Sequence, residues 1–160
     1  MSATQALLTL LGLAMSISVP PCVFTYFKTR ASEKRDREEQ AAARDALANA
    51  LPYYRRVELA YIRLRLESPG TQAARDAHSA SFRVRSSAHM ALVGVRLYYT
   101  DPRILMLAQR AFDLTGEIHY AKTMEQAAED ALKSAQALLH FVTATNATVH
   151  ALTPSTGIHR

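Results

Sequence analysis

Residues 2–27 contain no charged side chain, and beyond them apolar residues recur at helical spacing in successive runs separated by turn signals. The apolar stretch ALLTLLGLAMSISVPPCVFTYF is long enough to cross a hydrocarbon layer of about 30 Å at about 1.5 Å per helical residue. It predicts a transmembrane anchor over residues 1–27, with the helix continuing through Pro20 and Pro21 to an interfacial pair, Tyr26 and Phe27.

Residues 28–51 predict a charged helical stalk: from Ala31 the mixed-charge run ASEKRDREEQ passes into AAARDALANAL, strong helix formers. Pro52 is expected to kink this helix or to start a new one capped by Asn49. Leu47, Leu51, Tyr54, Val57, Tyr61 and Leu64 form an apolar stripe, widened by Leu59, Ile62 and Leu66. Ser68-Pro69-Gly70-Thr71 is a turn with Thr71 as the next cap. In the following helix Ala77, Ser81, Val84, Ala88, Ala91, Val95 and Tyr98 are expected to point inward. Asp101 and Pro102 then fit the N-cap and first position of a third helix carrying Ile104, Leu105, Ala108, Ala111, Phe112 and Thr115 inward, weakening near Gly116. Thr123 and Gln126 make a capping box for the last helix. Its inward stripe is expected to be Ala128, Ala131, Ala135, Leu138, Val142 and Val149, with Leu132 and Leu139 beside it. The fold class is therefore all-α: an N-terminal transmembrane helix followed by an antiparallel bundle of about four helices over 52–152, with residues 153–160 a disordered tail.

Composition supports a helical protein, with Gly 5 and Pro 6 in 160 residues. The net charge of +5 is unevenly spread. Residues 53–110 hold ten arginines and no lysine against Glu58, Glu67, Asp76 and Asp101, whereas 111–160 hold Lys122, Lys133 and Arg160 against five acids. Either the basic and acidic helices pair inside the bundle, or Arg55, Arg56, Arg63, Arg65, Arg83 and Arg85 meet an anionic partner, DNA or lipid. Lys28, Arg30, Lys34, Arg35 and Arg37 follow the anchor directly, so the positive-inside bias puts the C-terminal domain in the cytoplasm and the N-terminus outside, as in a single-pass cell-membrane protein. Gly12 and Ser16, and Ala14 and Ser18, are small residues four apart that suit self-association of the anchor.

Cys22 is the one cysteine, which excludes an intramolecular disulfide, and acylation there is the alternative to a plain apolar role. The six histidines form no His-Glu-x-x-His motif, and Glu117 and His119 stand one residue too close for a Glu-x-x-His pair. With no phosphate loop and no nucleophile in a recognisable turn, the expectation is a non-enzyme without metal or cofactor.

The order of parts resembles that of the KilB-type small membrane proteins of actinomycete conjugative plasmids. These parts are an N-terminal span, a charged Arg/Glu/Ala stalk, and an Ala-rich bundle ending in a segment such as ALLHFVTA at 137–144. The resemblance lies in layout over nearly the whole chain and implies a role in plasmid spread between cells of a mycelium, through assembly with other membrane proteins. Two functions follow as expectations: a non-enzymatic membrane-anchored interaction or assembly module, or a membrane-tethered binder of DNA or anionic lipid.

Overall fold

The computed structural model describes the backbone of residues 21–151 and the side chains of residues 33–147. Helix α1 spans Pro21–Glu67, α2 spans Gln72–Tyr98, α3 spans Pro102–Glu117, and α4 spans Met124–Ala151. A 3-10 turn, Ile118–Tyr120, links α3 to α4. Among the described residues, those before Glu38 and those from Glu38 onward fall in separate units, and the bundle belongs to the second. The candidate anchor pairs Gly12/Ser16 and Ala14/Ser18, most of the apolar segment 2–27, and the tail 153–160 lie outside the described residues. Among the described residues no helix is long and apolar enough to cross a membrane.

The helix ends follow local chemistry. Thr71 Oγ1 accepts a hydrogen bond from the Ala74 amide at 3.2 Å, and Asp101 Oδ1 from the Arg103 amide at 2.8 Å, with Pro102 at the first helical position. Thr123 Oγ1 accepts from the Gln126 amide at 3.2 Å, and Gln126 Oε1 reaches back to the Lys122 amide at 2.9 Å, closing the expected capping box. Gly70 has φ 76°, a left-handed conformation that turns the chain between α1 and α2. α1 runs through Pro52 without ending, so no new helix starts at Asn49.

Contacts between helices keep a constant register. Gln40 bonds Tyr98 and Tyr99 while Glu58 bonds Ser81, and Arg44 bonds Asn146 while Arg55 bonds Ser134. As numbers rise on α1 they fall on α2 and α4, so α1 is antiparallel to both. Arg96 meets Gln109 across the α2–α3 hairpin, and Thr115 meets Ser134 across the α3–α4 hairpin. α2 and α4 consequently run in the same direction. Among the described residues their backbones make no close approach, because α1 and α3 meet between them through Tyr54 and Phe112, whose ring centroids are 6.2 Å apart.

The main core joins Leu47, Leu51 and Tyr54 of α1 to Ala88, Leu92 and Val95 of α2, to Ile104, Ala108 and Phe112 of α3, and to Leu138 and Phe141 of α4. A smaller cluster of Tyr61, Ile62, Ile118, Ala121, Ala127 and Ala131 closes the end that carries the 3-10 turn. The α3 expectation holds closely, but three others are corrected. On α1 Glu58, outside the expected stripe, is fully buried, while Val57 and Leu64 of that stripe are part-buried and Leu66 is exposed. Tyr99, not Tyr98, turns inward at the end of α2. On α4 the inward line is Ala127, Ala131, Ser134, Leu138, Phe141 and Thr145, leaving Ala128 exposed and Leu132 and Leu139 60% and 63% exposed. The core here is crowded, and a helix presenting Ala and Ser comes closer to its neighbours than one presenting Leu.

Candidate functional site

Glu58 is the most unusual residue of the interior, an acidic side chain at 0% exposure in a largely apolar bundle. A buried carboxylate is stable only when hydrogen-bonded or paired. Ser81 on α2 donates its hydroxyl to Oε1, and Oε2 lies 3.0 Å from Nδ1 of His119 in the 3-10 turn. Three elements thus converge on one carboxylate. The Tyr54 hydroxyl is beside Glu58 but completes no hydrogen bond; burial first, and then the neighbouring carboxylate, push its pKa up, against the opposing effect of Arg85.

An aromatic cluster roofs this hub. Tyr61 stacks on His119 at 4.9 Å and tilts toward His78 at 5.1 Å, and Phe82 meets His78 edge-on at 4.8 Å. Arg65 lies 5.5 Å over the Tyr61 ring and donates to the backbone carbonyls of His119, at 3.0 Å, and Ala121, so α1 holds the turn that carries His119. His78 therefore belongs to this cluster, while His89 packs against Phe112 at 5.8 Å. Among the described residues no group of three or more His, Cys, Asp or Glu side chains is arranged to hold a metal ion.

A second polar chain crosses the other side of the bundle. Arg55 Nη1 donates to Ser134 Oγ at 3.3 Å, Ser134 lies 2.6 Å from Thr115 Oγ1, and Thr115 donates to the Ala111 carbonyl at 2.7 Å. Burial lowers the pKa of Arg55. Both networks satisfy buried polar groups and tie helices together. Ser81 and Thr115 were legible as inward positions; Glu58, His119 and Ser134 were missed, and the one available signal was a lone acid on an apolar stripe.

The six candidate arginines do not form one patch. Arg55 and Arg65 are half-buried and bonded inside the bundle, and Arg63 pairs with Glu67 at 3.0 Å. Arg56, Arg83 and Arg85 are exposed and make no ion pair among the described residues. Among the described residues no ion pair joins the acids of α4 to an arginine of another helix: Glu129 and Asp130 hold Lys133 at 2.8 and 3.2 Å, while the backbone amide of Glu125 and the Thr123 hydroxyl lower the pKa of Glu125. The pairing of basic and acidic helices within the bundle is thus absent among the described residues.

The outer surface carries large apolar side chains instead. Met90 and Leu97 on α2 are 65% and 73% exposed, comparable to Leu132 and Leu139 on α4. A groove of about 700 Å³ runs between Ile104 and Leu107 of α3 and Leu139 and Thr143 of α4.

The family profile described as KilB plasmid transfer protein matches residues 41–149, a segment that includes all of α2, α3 and the 3-10 turn and most of α4. No curated protein and no solved structure matches the chain.

Proposed function

The chain belongs to the KilB plasmid transfer protein family, and from that premise we propose that it serves plasmid spread as a non-enzymatic interaction and assembly module. The observation that carries this reading is the matched segment itself, a bundle whose polar networks are internal and whose exposed leucines and methionines suit a protein partner. Residues 2–27 anchor the module in the cell membrane as a single span, with the bundle on the cytoplasmic side.

The test is plasmid spread from donor to recipient cells. Deleting the gene lowers spread, the full chain restores it, and a Leu132→Glu/Leu139→Glu chain that folds normally does not. Unchanged spread after deletion rejects the role. Reporters fused at Arg160, one active inside and one outside the cell, read the topology; signal from the outside reporter rejects the cytoplasmic placement.

A second reading rests on exposed Arg56, Arg83 and Arg85, which suit an anionic partner such as DNA or acidic lipid. Salt-sensitive binding of the full chain to duplex DNA or to acidic vesicles supports it, and absence of binding at low salt removes it.

A further inference from the structure

The outward faces of α2 and α4 carry the same pattern. On α2, Arg83, Ser86, Met90, Val93 and Leu97 follow one another at spacings of three and four; on α4, Glu125, Ala128, Leu132, Ala135 and Leu139 do the same. Each α4 position is its α2 counterpart plus 42, six heptads, so large residues align with large ones and small with small. Arg83, Ser86, Met90 and Leu97 are exposed, as are Glu125, Ala128, Leu132 and Leu139, with Val93 and Ala135 part-exposed. Both stripes lie on the side of their helix away from the buried lines, Ser81-Ala88-Leu92-Val95 on α2 and Ala127-Ala131-Ser134-Leu138 on α4.

Charge distinguishes the two faces. α2 carries Arg75, Arg83, Arg85 and Arg96 against Asp76, a net +3, and α4 carries Glu125, Glu129 and Asp130 against Lys133, a net −2. Like faces repel and unlike faces attract. Within one chain the two faces do not meet among the described residues, where α2 and α4 make no close backbone approach and Glu129 and Asp130 pair with Lys133 of their own helix.

We propose that the α2 face of one copy packs on the α4 face of a second copy. The two helices run parallel, with Met90 against Leu132, Leu97 against Leu139, and Arg83 against Glu125. Met and Leu fill the a-type positions, while Ser, Val and Ala at the d-type positions let the helix axes approach closely. The contact is heterologous, so each copy keeps one free α2 or α4 face for the next and copies add side by side in a single orientation. This inference rests on the assembly role proposed above and names its partner.

Cysteine cross-linking of full-length chains in membranes, with Cys22→Ala in every copy, tests the pairing. Two differently tagged copies, one with Met90→Cys and one with Leu132→Cys, should form a mixed disulfide. Either variant alone should not, because a cross-link requires Cα atoms within about 7 Å. Leu97→Cys with Leu139→Cys should also link, whereas Met90→Cys with Leu139→Cys, one heptad or about 10 Å out of register, should not. Arg83→Glu should lower the yield of the mixed product roughly two- to fivefold, and Glu125→Arg on the partner should restore it. Same-site products alone, an out-of-register product, or no product from any pair overturns the proposal. Every changed residue of the bundle is on the surface, and an unchanged thermal melt verifies folding. Plasmid spread scored alongside separates the two claims. Spread lost in Leu132→Glu/Leu139→Glu cells without any Met90→Cys/Leu132→Cys product overturns the pairing and leaves the role standing. Cross-links with undiminished spread in a deletion strain overturn the role and leave the pairing.

Discussion

The carboxylate of Glu58 and the imidazole of His119 are 3.0 Å apart although 61 residues separate them in the chain, and this contact joins α1 to the turn between α3 and α4. His119→Ala leaves the buried carboxylate with the Ser81 hydroxyl as its one completed hydrogen bond. The expected cost is about 2 kcal/mol, because a buried carboxyl group loses one of its two hydrogen-bond partners and no water replaces it. Glu58→Gln keeps an acceptor and should cost less. Urea unfolding at unchanged m-value measures both, and a His119→Ala loss below about 1 kcal/mol rejects the hub as a stabilising contact.

Tyr54 supplies a pH-dependent term. Burial raises its folded-state pKa above the ordinary 10, so the unfolded chain loses this proton first as pH rises. The contribution is complete below about pH 10 and is lost above it, with a slope approaching about 1.4 kcal/mol per pH unit. Tyr54→Phe removes a hydroxyl that completes no hydrogen bond, so stability at pH 7 should stay within about 1 kcal/mol while the alkaline decline becomes shallower. It does not vanish, since burial raises Tyr99 in the same sense. Equal alkaline slopes in the two proteins reject this assignment.

Leu138 and Leu139 are adjacent in sequence and opposite in consequence. Leu138 is in the core and Leu139 is mostly exposed. Leu138→Ala should cost about 2–4 kcal/mol and Leu139→Ala no more than about 0.5 kcal/mol, measured by thermal or urea unfolding. In plasmid spread the order reverses for a glutamate at 139, which spoils an exposed apolar face without disturbing the fold.

Pro52 lies inside α1, where it removes the amide that would bond to the Ala48 carbonyl. Pro52→Ala should therefore raise stability by about 1 kcal/mol or more, read as a higher urea midpoint. A fall in stability would show that the proline shapes this helix for its packing with α2 and α4.

Much of the bundle was legible because its boundaries are set by local chemistry. Thr71, Asp101 and Thr123 each cap the helix expected of them, and Gly116 marks where α3 gives way to the tighter turn. The inward face of α4 was not legible for a physical reason. Its sequence is so rich in alanine that several stripes fit a helix equally well, and the leucines at 132 and 139 favoured the wrong one. Burial follows the small residues because the helix packs close, which a scale of side-chain hydrophobicity does not reveal. Glu58 escaped for a related reason: the partners that make its burial tolerable, Ser81 and His119, are distant in sequence and individually ordinary. The basic stretch was visible as composition, but whether each arginine faces solvent or a backbone carbonyl depends on tertiary contacts such as Arg65 with Ala121.

That clamp also has a dynamic consequence. By bonding the carbonyls of His119 and Ala121, the Arg65 side chain couples the α3–α4 connection to the end of α1. Loops between helices ordinarily open on their own, and their amides exchange with solvent long before the helices do. Here the Ala121 amide is itself bonded to the Ile118 carbonyl, and Ile118 and Ala121 are buried although Tyr120 and Lys122 between and beside them face solvent. The Ala121 amide is therefore expected to exchange with the bundle, so that its protection reports the opening of α1 rather than the fraying of a loop.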